Sequence, residues 1–307
     1  MTINSTQAKS PQIFTKEIFV SVIVPFYNAH ENIIECVESL LNQNFSKRSY
    51  EIILVDNASS DDGPALLEKF KDRITLIKEE KIGPSVARNR GIFSANGDIL
   101  AFIDSDCVAS KNWLKHMVNS FKLANAVAVA GEVKAYKPKT DVEIFYEGLM
   151  SQKKNLSYEH PYAVTANLAF LRSVSNEVSF DNRFSKAVAE DVDFCWRLLE
   201  KGYRIEYQPD ALVYHKNVKT KWQLFKKIFL QGYHAPKVIK KNLKFLEREK
   251  RLRRVRANSY LKLLRDILCL IFSGKGKKSE RILEITFMLA RKSGLICGSI
   301  RFGFFYL

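Results

Sequence analysis

The sequence predicts an α/β fold, a sheet with helices on both faces, continued by a basic helical extension. Short apolar, β-branched runs alternate with segments of helical period through residues 20–130, and that βαβαβ order builds a sheet flanked by helices. Polar residues gather where the apolar runs stop, at Tyr27 and Asn28, Asp56 and Asn57, and Asp104 to Asp106. Open α/β sheets bind ligands there, beyond the carboxyl ends of their strands. The charge is divided as well. Of 49 Lys and Arg and 33 Asp and Glu in 307 residues, 24 basic and five acidic residues follow Asp210. A near-neutral module therefore precedes a strongly basic one.

Taken in order, residues 20–25 are the first predicted strand and 31–41 the first helix, with Ile33, Ile34, Val37, Leu40 and Leu41 on one face. Residues 52–55 are a buried strand running into Asp56, 61–70 a helix and 74–77 a short strand. Pro84 suits a first helical position, where no N–H is needed, and opens a helix through Arg90. Residues 99–103 form a strand ending on Asp104, and 126–130 another. Beyond Lys139 the spacing predicts a helix over 141–154, a strand over 163–170, a helix over 191–201 stopped by Gly202, and strands over 205–207 and 211–214. From 216 onward the chain reads as basic helix. It has an aromatic face of Trp222, Phe225 and Phe229, a charge-dense run over 240–256, an apolar-rich helix over 260–272 and a turn over 273–278.

A chain that is 46% hydrophobic and 12% aromatic is neither disordered nor collagen-like. The five cysteines are scattered without a CxxC pair, so neither a disulfide framework nor a zinc site is legible, and ordinary reduced thiols of a cytosolic protein are expected. The first 16 residues lack the apolar stretch of a signal peptide. No apolar run approaches the roughly 18–20 residues that span a bilayer.

Four groups can carry chemistry. Asp104-Ser105-Asp106 places two carboxylates at a strand-to-loop junction. They are hard ligands suited to Mg²⁺ or Mn²⁺, though an isolated pair is equally a solvated acidic turn. Gly83-Pro84-Ser85-Val86-Ala87-Arg88 leads a glycine turn into a helix with Arg88 one turn in. That is either an anion site or an ordinary capped helix. Glu190-Asp191-Val192-Asp193 opens a helix, where the dipole favours acids and also the carboxylate form that a general base requires. His215 follows a strand and offers an imidazole to a nearby acidic metal site.

Pro25-Phe26-Tyr27-Asn28, the stretch from Asp56 to Asp61, Gly83 to Gly91, Asp104-Ser105-Asp106, Glu190-Asp191 and His215 occur in this order at these spacings. The ordered set resembles the family 2 glycosyltransferases of GT-A fold, over about Val20 to His215. The resemblance implies a Rossmann-like mixed sheet. It also implies inverting transfer of a sugar from a nucleotide-diphospho-sugar donor to an acceptor hydroxyl, with a divalent metal (Mg²⁺ or Mn²⁺) as cofactor. Pro25, Tyr27 and Asp56 match segments lining the nucleoside base. Arg88 matches a residue near ribose and pyrophosphate, Asp104 the first acid near ribose and metal, and Asp106 the direct metal ligand. Asp191 matches the catalytic base, and His215 a further metal ligand of some members. Asn167 and Glu190 fall in the region of donor sugar and acceptor, although the glycine common at the start of the Asn167 loop is missing.

The implied setting is synthesis of a bacterial surface polysaccharide or glycolipid, with a glycan, lipid-linked or other hydroxyl acceptor. A non-catalytic sugar-nucleotide or polyanion binding protein is the alternative. A nucleotidyltransferase would carry a Gly-rich basic loop after the first strand, where this chain has Phe26-Tyr27-Asn28-Ala29-His30. The expected organisation is a polar tail (1–18), a catalytic domain (19–215) and a basic amphipathic helical region (216–307). Aromatic faces beside Lys and Arg predict attachment of that last region to an anionic membrane surface. Without a helix-turn-helix, zinc-finger or RNP signature, nucleic acid is not an expected partner. The expected place is the cytoplasm, peripheral at the inner face of the plasma membrane.

Overall fold

The computed structural model describes residues 17–123, 126–186, 188–248, 265, 268 and 278–305. The N-terminal tail up to residue 16, most of the predicted helix over 260–272 and nearly all of the turn after it lie outside the described residues. Eight strands form one mixed sheet: β1 (Val20–Phe26), β2 (Tyr50–Asp56), β3 (Thr75–Lys78), β4 (Ile99–Ile103), β5 (Cys107–Ala109), β6 (Ala128–Ala135), β7 (Asn167–Leu171) and β8 (Ile205–His215), ordered β3-β2-β1-β4-β7-β6-β8-β5. β3, β2, β1 and β4 are mutually parallel, with Val20 opposite Tyr50 and Phe26 opposite Asp56. β7 runs antiparallel to both β4 and β6. β1, β2 and β4 are apolar almost without interruption because nearly every residue on them is buried.

The fully described helices are α1 (Ile33–Leu41), α2 (Gly63–Leu66), α3 (Pro84–Ser94), α4 (Trp113–Leu123), α5 (Asp141–Met150), α6 (Gln152–Leu156), α7 (Glu190–Glu200), α8 (Lys221–Lys241), α9 (Leu243–Arg248) and α10 (Lys278–Phe302). α3 lies close on β1. A Cβ added at Gly91 would come within 2.4 Å of Ile23 Cγ2, so a side chain there would lift off the helix that carries Arg88.

Three expectations are corrected. The helix over 61–70 is a four-residue α2 followed by a 3₁₀ turn (Glu68–Phe70), tightened by the Leu67 and Phe70 N–H groups donating to Pro64 and Leu67. The helix over 141–154 breaks at Ser151, where Gln152 Nε2 donates to the carbonyls of Val164 and Asn167. The strands over 205–207 and 211–214 are one strand, β8, carrying Pro209. A proline N cannot enter the ladder, and the partner β6 shifts register between Gly131 and Val133. β5 and α4 were not expected at all.

Residues up to 136 and 150–216 make one compact unit, which holds the whole sheet. Residues 137–149 group with 217 onward in a second, helical unit. Asn217 Nδ2 donates to the Glu143 carbonyl, and the rings of Phe145 and Phe287 lie 6.2 Å apart. Contacts of this kind join residues far apart in the chain and are invisible in sequence. In this unit α8 opens with a capping box between Thr220 and Gln223. α8 and α10 touch backbone to backbone. A Cβ at Gly294 or Gly298 would come within 2.0 Å of the carbonyl oxygens of Phe229 and Tyr233 respectively.

Candidate active site

The loops after β1 and β2 are stapled together. Asn28, with φ 49°, donates its N–H to Ser59 Oγ, and its Oδ1 accepts from the Ser60 N–H. The His30 N–H donates to Asp61 Oδ2 at 2.9 Å. Asp56, buried at the end of β2, accepts from the Ser59 N–H at 2.9 Å. Asn57 Oδ1 accepts from the Gly83 N–H at 2.7 Å and its Nδ2 donates to the Lys81 carbonyl, fixing the entrance to α3. Pro25 lies within β1, and Tyr27 just beyond it is 52% exposed.

α3 then delivers Arg88 into a buried cluster. Arg88 Nη1 lies 2.9 Å from Glu190 Oε1 and Nη2 lies 3.4 Å from Asp104 Oδ1, with the guanidinium 5.5 Å from the Phe180 ring centre. Burial alone would disfavour the Arg88 charge, but the Glu190 and Asp104 carboxylates more than offset it and raise its pKa. Glu190 is itself raised, since burial outweighs the stabilising Arg88 charge. Ser85 Oγ, Arg88 Nε and Glu190 Oε2 are buried without a hydrogen-bond partner. Native proteins leave few such atoms, and a ligand often completes them.

Asp191, in the first turn of α7, lies beside this cluster. Ala189, just before the helix, takes a left-handed φ of 69°, a conformation that costs a non-glycine residue energy. Asp193 Oδ2 accepts from Arg197 Nε at 2.8 Å, and Arg197 Nη2 donates to the Ser179 carbonyl, which anchors the helix. The enclosure of Asp191, reinforced by the Glu190 charge, pushes its carboxyl up to about 7. A carboxylate near that value accepts a proton far more readily than an ordinary aspartate.

At the other end of the acidic motif, β5 pairs antiparallel with β8 so that Cys107 stands opposite His215. His215 Nε2 lies 3.4 Å from Asp106 Oδ2, and ligand atoms of Asp106, Cys107 and His215 all lie within 4.8 Å of one another. A carboxylate oxygen and an imidazole nitrogen at this separation are a donor set for a divalent cation.

The structure thus brings Arg88, Asp104, Glu190 and Asp191 together, and Asp106 with His215. Asn167 is different. Its Oδ1 accepts from Trp113 Nε1 at 2.8 Å, its Nδ2 donates to the Glu132 and Ala211 carbonyls, and the residue is wholly buried. Its amide clasps β7 to neighbouring elements. Glu190 likewise spends its Oε1 on Arg88. Reading the sequence missed Phe180 and Cys107. Only Cys107 left a signal, standing directly after Asp106.

Residues 21–179 match the family model Glycosyl transferase family 2. The chain belongs to glycosyltransferase family 2. This glycosyltransferase is 32% identical to Glycosyltransferase AglE of Haloferax volcanii over 221 residues, 70% of this chain and 72% of that protein. It is 30% identical to the poly(ribitol-phosphate) beta-N-acetylglucosaminyltransferase TarP of Staphylococcus aureus, over 61% of this chain and 60% of that protein. Its fold resembles that of the mannosyltransferase PcManGT from Pyrobaculum calidifontis, solved with GDP-Man and Mn²⁺. The TM-score is 0.69 at 17% identity, covering 94% of this chain and 90% of the other. The glycosyltransferase therefore has the mixed α/β sheet of the GT-A fold.

Proposed function

We propose that the protein is an inverting, metal-dependent glycosyltransferase that moves a sugar from a nucleotide-diphospho-sugar to an acceptor hydroxyl. The observation that carries this reading is the adjacency of a raised, half-buried Asp191 to the Arg88–Asp104–Glu190 cluster at the strand ends. Asp191 takes the proton from the acceptor hydroxyl as its oxygen attacks the anomeric carbon. The bond to the diphosphate breaks on the opposite face, so the configuration inverts. Arg88, oriented by Glu190, faces the charge that grows on the leaving diphosphate. Tyr27, Pro25 and Asp56 border the nucleoside base. Asp106 and His215 would hold Mg²⁺ or Mn²⁺, and such an ion neutralises the departing nucleoside diphosphate. The poly(ribitol-phosphate) acceptor in the name of TarP supports a glycan or related polymer as acceptor, in bacterial surface polysaccharide or glycolipid synthesis by this reading.

A thermal-shift screen of UDP-, GDP- and dTDP-sugars with Mn²⁺ tests the donor. One nucleoside should raise the melting temperature well above the others, since a ligand at 100 times its Kd adds about 2.7 kcal/mol. A flat response to all three rejects the reading.

The second unit is read as a membrane-surface module, placing the enzyme at the cytoplasmic face. Among the described residues no helix is long and apolar enough to cross a membrane. Trp222 is 62% exposed and Ile300 and Phe305 are each 67% exposed, amid Lys219, Lys221, Lys226, Lys240 and Arg301. Each basic residue near an anionic leaflet adds about 1 kcal/mol. The protein should cosediment with vesicles rich in phosphatidylglycerol at low salt and be released by high salt. Failure to bind them at low salt refutes the attachment.

A further inference from the structure

The acidic pocket carries a group that the reaction above does not use. Cys107 is fully buried, follows Asp106 directly and faces His215 across the β5–β8 pair. Its Sγ lies 4.0 Å from Asp106 Oδ1, and sulfur, carboxylate and imidazole fall within 4.8 Å of one another. Carboxylate oxygen suits Mg²⁺ and Mn²⁺, whereas sulfur selects zinc and other thiophilic ions. Catalytic zinc keeps three protein ligands and one open position, and draws those ligands from Cys, His and carboxylate side chains. A catalytic pocket for a hard ion has no need of a sulfur ligand.

We propose that Cys107 is a third protein ligand, so that this pocket also takes thiophilic divalent cations such as Zn²⁺ or Cd²⁺, held by Asp106, Cys107 and His215. As the sulfur–metal bond forms, the thiol proton passes to solvent. Asp106, 35% exposed on its side chain, is the route of entry, while the sulfur lies on the dry side where no water competes for it. A zinc ion so held leaves at most one open position for a donor oxygen. Zinc then competes with the hard ion for the pocket instead of replacing it in catalysis. The inference rests on the pocket proposed above but not on sugar transfer.

Cobalt spectroscopy of the full-length protein, stripped of metal with a chelator, tests it. Co²⁺ should bring visible ligand-field bands together with a strong near-ultraviolet sulfur-to-cobalt charge-transfer band, and Zn²⁺ should bleach both. In Cys107→Ser the charge-transfer band should vanish. Zn²⁺ affinity should fall at least about tenfold, since even outer-shell changes at metal sites cost about 10–100-fold, while Mn²⁺ affinity stays within about twofold. Cys36→Ser, which alters the buried thiol near the same motif, should keep the band. Absence of the charge-transfer band in the wild-type protein overturns the proposal without any variant having to fold. Its persistence in Cys107→Ser, or equal losses of Zn²⁺ and Mn²⁺ affinity, overturns it too. Failure to bind any sugar nucleotide would strike the transferase reading and leave the cobalt result standing.

Discussion

Asp191→Asn is expected to lower sugar transfer by about 10²–10⁴-fold, the usual worth of a general base, while donor affinity stays near wild type. Asn fills the same volume and keeps a hydrogen-bonding oxygen, but it cannot take a proton. The wild-type profile of kcat/KM against pH carries the same information. With the Asp191 carboxyl pushed up to about 7 by its enclosure and the Glu190 charge, the active carboxylate form disappears as pH falls through neutrality. The rate should therefore rise with pH up to about 7 and level off above it. Stability moves the other way. The ordinary value is 3.8, so between 3.8 and about 7 the folded protein binds a proton that the unfolded chain has released. Ionising Asp191 thus costs stability as pH rises through that window. Asp191→Asn removes this cost and should be at least as stable as wild type at pH 8. A variant that transfers sugar at the wild-type rate sinks the assignment, and one that melts early at pH 8 sinks the account of its environment.

The second large effect is on the buried cation. Arg88→Met should cost about 3–5 kcal/mol of folding stability, the typical penalty for removing one partner of a buried pair. It leaves Glu190 buried with an unbalanced charge between Asp104 and Asp191. The double variant Arg88→Met/Glu190→Leu should recover much of that stability, because replacing both members by apolar groups is often nearly neutral. Neither variant should bind donor well. Urea unfolding of the two variants decides the matter. A loss below about 1 kcal/mol in the single variant would mean that the pair is solvated and not the buried clamp seen here.

The parts of the fold legible in sequence are those whose physics is local. β1, β2 and β4 are apolar runs because they are covered on both faces, and the polar residues at their ends mark the loops that carry the site. Pro84 and the glycine before it announce α3, and the acids of Glu190 to Asp193 announce α7. Features set by distant partners were not legible. Glu190 meets Arg88 across 102 positions of chain, so the pairing that buries both is invisible in either motif alone. Asn167 opens β7, an interior strand of the sheet, and only the arrival of Trp113 and Ala211 from other elements shows that its amide is consumed internally. β5 is three residues long, too short for a period to register, yet its pairing with β8 brings His215 to Asp106. Cys107 was passed over because a cysteine without a CxxC partner reads as an ordinary buried thiol. Its meaning comes from the residue opposite it on β8.

A metal-dependent transferase requires, above all, metal-linked donor binding at Asp106. Calorimetric titration of the preferred nucleoside diphosphate into wild type and Asp106→Ala, with and without Mn²⁺, measures it. The expected result is binding that Mn²⁺ strengthens in the wild type, with at least about a tenfold loss in Asp106→Ala and no remaining response to Mn²⁺. Binding that is equal in the two proteins, or indifferent to the metal in both, would contradict it.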